Sequence, residues 1–198
     1  MTCIIGVLDG GKVYLGGDSC GSDGYTYEDC CHSKVFKVGD FVIGGTTSFR
    51  MLDLLEYSLT LPEGQPFAKA DMDKFMRTTF VNSVRSCLKE GGFVRFKDSV
   101  EQGGTFLIGY KDKMWRMQDD FSVVSRFDYD AVGCGAQAAM GSLFTTKDLK
   151  VSTCEEIPIV GELIVNDVMS VEDRITLAMK AAESVLVGVK GPFTIIST

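Results

Sequence analysis

The sequence predicts an α+β protein in which two antiparallel sheets pack face to face between layers of helix, a four-layer αββα sandwich. Three observations carry this expectation. Strand-like runs open the chain as two hairpins, a pair of helical stretches follows before strands return, and a second helical block precedes a closing strand. Strands and helices grouped in blocks fit stacked sheets with helices on their outer faces.

The elements follow in order. Thr2 to Leu8 and Lys12 to Asp18 are apolar-rich runs with β-branched and aromatic content, joined by Asp9-Gly10-Gly11, a strong hairpin signal. An antiparallel pair centred on Gly10 sets Thr2 opposite Asp18. Lys34 to Val38 and Phe41 to Gly45 form a second hairpin about Gly39-Asp40, with Lys34 opposite Gly45. Phe49 to Tyr57 has helical periodicity, and Pro62-Glu63-Gly64-Gln65-Pro66 breaks it. Asp71 to Lys89 is a second helix, with Met72, Phe75, Met76, Phe80, Val81, Val84 and Leu88 on its apolar side and Gly91-Gly92 at its end. Strands return at Gly104 to Tyr110, Met114 to Met117 and Phe121 to Arg126. Gly133-Cys134-Gly135 opens a short helix at Ala136 to Phe144, Val171 to Leu186 forms a long one, and Phe193 to Ile196 closes as a strand.

A chain of 198 residues with 45% hydrophobic content can bury one sizeable core, so residues 1–198 are expected to form one domain. It has no apolar run long enough to span a bilayer and no basic region followed by an apolar stretch at its start. Seven cysteines, an odd number in a chain too long to need disulfide staples, read as reduced thiols in a cytoplasm. A net charge of -7 argues against nucleic acid or an anionic membrane as the main partner. No cofactor and no metal are expected. Cys30-Cys31-His32 lacks the spacing that lets two cysteines ligate one zinc, and no second pair follows. His32 is the single histidine, which makes a serine or cysteine triad improbable.

Chemistry concentrates on three spacings. Removal of Met1 would expose Thr2 as a new N-terminus, sixteen residues before Asp18 and thirty-two before Lys34. A hydroxyl carrying its own free amine is a nucleophile with a built-in base. Side chains alternate along a strand, so Lys34 shares a face with Phe36 and Val38. A lysine on an apolar face needs a carboxylate partner, and Asp18 would hold it charged beside the Thr2 hydroxyl. Taken singly, Asp18 after two glycines reads as a turn residue and Lys34 as a strand lysine reaching into water. Both offsets together favour a site. Cys3, which has no free amine of its own, reads as a small buried residue.

Thr2-Cys3-Ile4-Ile5-Gly6-Val7, Gly16-Gly17-Asp18-Ser19, Lys34-Val35-Phe36 and Val42-Ile43-Gly44-Gly45 together resemble the proteasome β-type subunits of the N-terminal nucleophile (Ntn) hydrolases. The likeness is nearest to the bacterial HslV-like branch, which also starts directly at Met-Thr. It continues through Gly103 to Gly109, Ala131 to Gly135 and the stretch around Ala178 to Glu183, and so covers nearly the whole chain. The resemblance implies the Ntn-hydrolase fold and a threonine-type endopeptidase with Thr2, Asp18 and Lys34 as its catalytic residues. It implies that the turn of Gly45, Thr46, Thr47 and Ser48 lies along the substrate and supplies an oxyanion donor near Ser48. Cys134 stands where the family usually has a serine that orients the amine, and a thiol is a poorer hydrogen-bond partner. Glu183 aligns with a segment that usually carries an aspartate of the same relay. The implied substrate is an unfolded polypeptide or peptide. The implied assembly is a stacked homo-oligomeric ring of six or seven subunits, served by an ATP-driven unfoldase. Two other readings stay open: a non-catalytic shell protein or inactive precursor that retains Met1, and a small-molecule amidase of the same superfamily.

Overall fold

The computed structural model describes residues 1–22, 26–29, 32–62, 69–157 and 161–198. In chain order the strands and helices are β1 (Cys3–Asp9), β2 (Lys12–Asp18), β3 (Cys20–Ser22), β4 (Tyr27–Asp29), β5 (Val35–Val38), β6 (Phe41–Gly45), α1 (Phe49–Tyr57), α2 (Lys69–Phe75) and α3 (Val81–Glu90). There follow β7 (Arg95–Lys97), β8 (Val100–Gln102), β9 (Phe106–Tyr110), β10 (Lys113–Met117), β11 (Val123–Arg126), β12 (Tyr129–Gly133), α4 (Ala136–Thr146), β13 (Lys150–Ile157), β14 (Gly161–Val168), α5 (Val171–Val185) and β15 (Phe193–Ser197). Cys30-Cys31 and the helix breaker at Glu63 to Pro66 lie outside the described residues.

Two antiparallel sheets form the centre, one ordered β12-β1-β2-β15 and the other β11-β10-β9-β6-β5. Three groups of buried residues show how they stack. Ile4, Val13, Leu15, Val35, Val42 and Leu107 fill the space between the sheets. Cys3, Ile5, Val7, Ile175 and Met179 join the first sheet to α4 and α5, while Ile43, Leu55, Phe80, Phe106 and Trp115 join the second to α1, α2 and α3. Alternate residues of β1 thus face opposite layers, as strand geometry requires. The four-layer αββα order and the Ntn-hydrolase fold follow.

The first hairpin corrects the expected register by one residue. Gly10 and Gly11 both have positive φ, 53° and 78°, the signature of a two-residue hairpin turn. The pairing Ile4↔Gly17 therefore brings Cys3, not Thr2, level with Asp18. The second hairpin pairs Val35 with Gly44, and the Gly45 N–H donates to the Lys34 carbonyl at 3.0 Å, as its sequence predicts.

Helix expectations hold in place but not in detail. Met72, Phe75, Met76, Phe80, Val81, Val84 and Leu88 are all buried, yet a π-helical turn at Met76–Phe80 separates α2 from α3. Phe75 and Phe80, like Met76 and Val81, are five residues apart, one more than an α-helix stacks on one face. The wider turn keeps all four buried. Phe121 leaves the expected strand with φ 64°, so β11 begins at Val123. The hairpins β3–β4, β7–β8 and β13–β14, and the strand β12, are additions to the sequence reading. Among the described residues no helix is long and apolar enough to cross a membrane.

Candidate active site

The site lies where the ends of the two hairpins meet. Thr2 precedes β1, Asp18 ends β2, Lys34 precedes β5, and Gly45 ends β6. Thr2, Asp18 and Lys34 are buried, at 9%, 1% and 3% exposure. The Lys34 Nζ donates to Asp18 Oδ2 at 2.6 Å, Thr2 Oγ1 at 2.9 Å and the Cys20 carbonyl at 2.5 Å. A buried ammonium is tolerable only with such partners. Asp18 in turn accepts from the Cys3 N–H on Oδ1 at 2.8 Å and from the Cys20 N–H on Oδ2 at 3.2 Å. Burial pushes its carboxyl above the usual carboxylate range, and the Lys34 ammonium and these two N–H groups pull against that.

Thr2 is positioned from both sides. Its carbonyl accepts from the Gly135 N–H at 3.2 Å, at the start of α4. Gly133, paired with Cys3, has φ 95°, and a Cβ there would run into the Thr2 carbonyl, so glycine is required on both counts. The Thr2 hydroxyl donates to the Met1 carbonyl at 2.6 Å, and the Met1 amine donates to the Ser22 carbonyl at 3.1 Å. The Thr2 nitrogen is thus an amide in this structure. The cleft is lined by Met1, Thr2, Lys34, Thr46, Ser48 and Phe49 among others.

In the Gly45 to Ser48 turn, three N–H groups are already used. Gly45 donates to Lys34, Thr46 to the Thr105 carbonyl at 3.1 Å, and Ser48 to the Thr46 carbonyl at 2.8 Å. The last bond spans only two residues, with Thr47 at φ 71° between them, a rare and strained γ-turn. Of the four, the Thr47 N–H alone has no protein acceptor among the described residues. Thr47 Oγ1 faces the other way and accepts from the Thr105 N–H at 3.4 Å.

No hydrogen bond among the described residues joins Cys134 or Glu183 to Thr2. Glu183 accepts from the Gly191 N–H at 3.2 Å on Oε1, because its place late in α5 faces the loop before β15. Cys134 is exposed, and no hydrogen bond among the described residues joins it to Thr2. Burial, with Asp18 adding to it, pushes the Cys3 thiol up to about 12, so it is no rival nucleophile. His32 lies 3.5 Å from Asp53 and 3.7 Å from Glu56, against α1 rather than in the cleft. Sequence reasoning did not single out Cys20 or Gly135, whose backbone groups hold Lys34 and Thr2; bonds through main-chain atoms leave no residue-type signal.

This architecture is that of the proteasome-like Ntn hydrolases. The chain superposes on Thiobacillus denitrificans BPH, solved in complex with epoxomicin, with a TM-score of 0.73 at 18% identity, covering 99% of this chain and 97% of that one. It superposes on HslV from Trypanosoma brucei with a TM-score of 0.61 at 15% identity, covering 98% of each chain. Anbu, an ancestral β-subunit from Yersinia bercovieri, gives 0.60 at 10% identity over 100% of this chain and 81% of its own. No family model and no curated protein matches the sequence.

Proposed function

We propose that this protein is a threonine endopeptidase whose nucleophile is Thr2 once Met1 has been removed. The observation that carries the reading is the Lys34 ammonium, 2.9 Å from Thr2 Oγ1 and 2.6 Å from Asp18. A free Thr2 amine, ordinarily with a pKa of about 7.7 to 8.0, takes the hydroxyl proton directly or through a water. Thr2 Oγ1 then attacks the scissile carbonyl carbon, and Lys34 stabilises the developing alkoxide while its charge keeps the neighbouring amine deprotonated. The Thr47 N–H is the donor best placed to meet the oxyanion. The Thr2 ammonium returns the proton as the C–N bond breaks, and water hydrolyses the ester to regenerate the hydroxyl.

The substrate is an unfolded polypeptide or peptide, and the enzyme is a one-domain cytoplasmic protein in a homo-oligomeric ring supplied by an ATP-driven unfoldase. The similar architecture of HslV and Anbu supports the assembly. Thr2→Ala and Lys34→Ala are each expected to abolish peptide turnover while leaving the circular dichroism spectrum unchanged. Epoxomicin, bound by the Thiobacillus protein, is expected to add its mass to the peptide beginning at Thr2. Undiminished turnover in either variant sinks the assignment.

The engagement of Thr2 Oγ1 with the Met1 carbonyl favours one other reading, a precursor or shell protein that keeps Met1. Intact mass spectrometry separates the two: a uniform species retaining Met1, unlabelled by epoxomicin, is the result of the second.

A further inference from the structure

Met1 occupies a place that the proposed chemistry empties. It is half-buried, and its side chain lies over Gly188, between α5 and β15. A methyl group on Gly188 would run into Met1 Cβ, Cγ and Cε, and these are the three atoms it would meet first. Gly188 is not among the residues with positive φ, so its backbone conformation does not call for glycine. What calls for a small residue at 188 is the room taken by Met1. The neighbouring Val187, 67% exposed, adds apolar surface beside it.

We propose that this room, once Met1 has gone, is the subsite for the first residue on the amine side of the scissile bond, and that it takes an apolar side chain about the size of methionine. The proposal rests on the threonine-peptidase reading above. Met1 is joined to the Thr2 nitrogen, and that same nitrogen hands its proton to the leaving amine. The leaving residue therefore begins within hydrogen-bond distance of the atom that now carries Met1. From there its side chain has the reach to Gly188 that Met1 has. The absent Cβ at 188 provides depth for an unbranched or γ-branched apolar chain like the methionine side chain it now meets, and burying a carboxylate without a partner costs free energy.

The test uses the chain beginning at Thr2 and peptides that share an acyl half and differ only in the first leaving-side residue. Met and Leu peptides are expected to show kcat/KM about tenfold above Gly and Asp peptides, mainly through KM. Gly188→Val fills the room and is expected to bring all four within about twofold of one another, with Gly188→Ala between. Equal cleavage by the unsubstituted chain, or a Met preference that survives Gly188→Val, overturns the subsite. Hydrolysis of the matching acyl methyl ester, whose leaving group is too short to reach Gly188, reports the threonine chemistry separately; failure there overturns the peptidase reading instead. In that event fluorescence anisotropy of labelled peptides on the Met1-free chain keeps the subsite testable. A Met-initiated peptide is expected to bind about tenfold tighter than an Asp-initiated one, and equal affinity overturns the subsite.

Discussion

The Lys34 ammonium donates to Asp18, Thr2 and Cys20, with the Met1 carbonyl further off at 3.4 Å, and these partners hold it against the hydroxyl. A buried ion pair of this kind adds little stability over an apolar pair, but removing one partner leaves an uncompensated charge. Asp18→Asn alone is therefore expected to lower unfolding stability by roughly 3 kcal/mol, measured by urea denaturation. Combining it with Lys34→Met removes the stranded charge and is expected to restore most of that loss while turnover stays absent. If the double variant is as unstable as the single one, the pair's role is in packing and not in charge. The proximity of Thr2, Asp18 and Lys34 was legible because each lies within a residue of a hairpin end, and hairpins are local. The one-residue shift between Thr2 and Asp18 was hidden in whether the first turn takes two residues or three, which both Asp9-Gly10 and Gly10-Gly11 permit. The bond from the Gly191 N–H to Glu183 was not legible, because the direction of that side chain depends on how α5 meets the following loop, a tertiary matter.

Short hairpins account for most of what the sequence concealed. β7 and β8 are three residues each with exposed side chains in β7, so no apolar alternation marks them. They are held instead by side chains on α3. Arg85 donates to Glu101 Oε2 through Nε at 2.9 Å and Nη2 at 2.5 Å, and Lys89 reaches Oε1 at 3.3 Å. The Arg85 hydrogen bonds, opposed by burial and aided by Lys89, hold the Glu101 carboxyl below its usual range. A carboxyl whose pKa is depressed on folding contributes stability above its unfolded pKa of about 4.3 and loses it as pH falls through the folded value. Glu101→Gln is thus expected to lower the protection of the β7–β8 amides from hydrogen exchange near neutral pH. The difference from the unsubstituted chain should vanish in acid; a difference that persists there would assign the hairpin to packing. β1, β2, β5 and β6 were readable for the opposite reason, being longer apolar runs joined by glycine-containing turns. The π-helical turn escaped because five-residue apolar spacing is ambiguous in a sequence and resolves only against the second sheet.

At the scale of the molecule, the outer helical layer leaves apolar surface uncovered. Phe144 on α4 is 73% exposed and Leu177 on α5 is 42% exposed, while Val168, just before α5, is 61% exposed. Single exposed hydrophobics are ordinary, but large ones gathered on adjoining helices mark association surfaces. The charge works against association, since each copy brings -7. Salt screens that repulsion over about 8–10 Å while leaving apolar burial intact, so the two forces can be told apart by ionic strength. If the protein is the proposed homo-oligomer, light scattering should give a mass several times the 21.6 kDa of one chain, with the larger species favoured as salt rises. Phe144→Glu with Leu177→Glu should shift the distribution toward the single chain without altering the circular dichroism spectrum. A mass of one chain at every concentration and ionic strength would remove the proposed ring assembly.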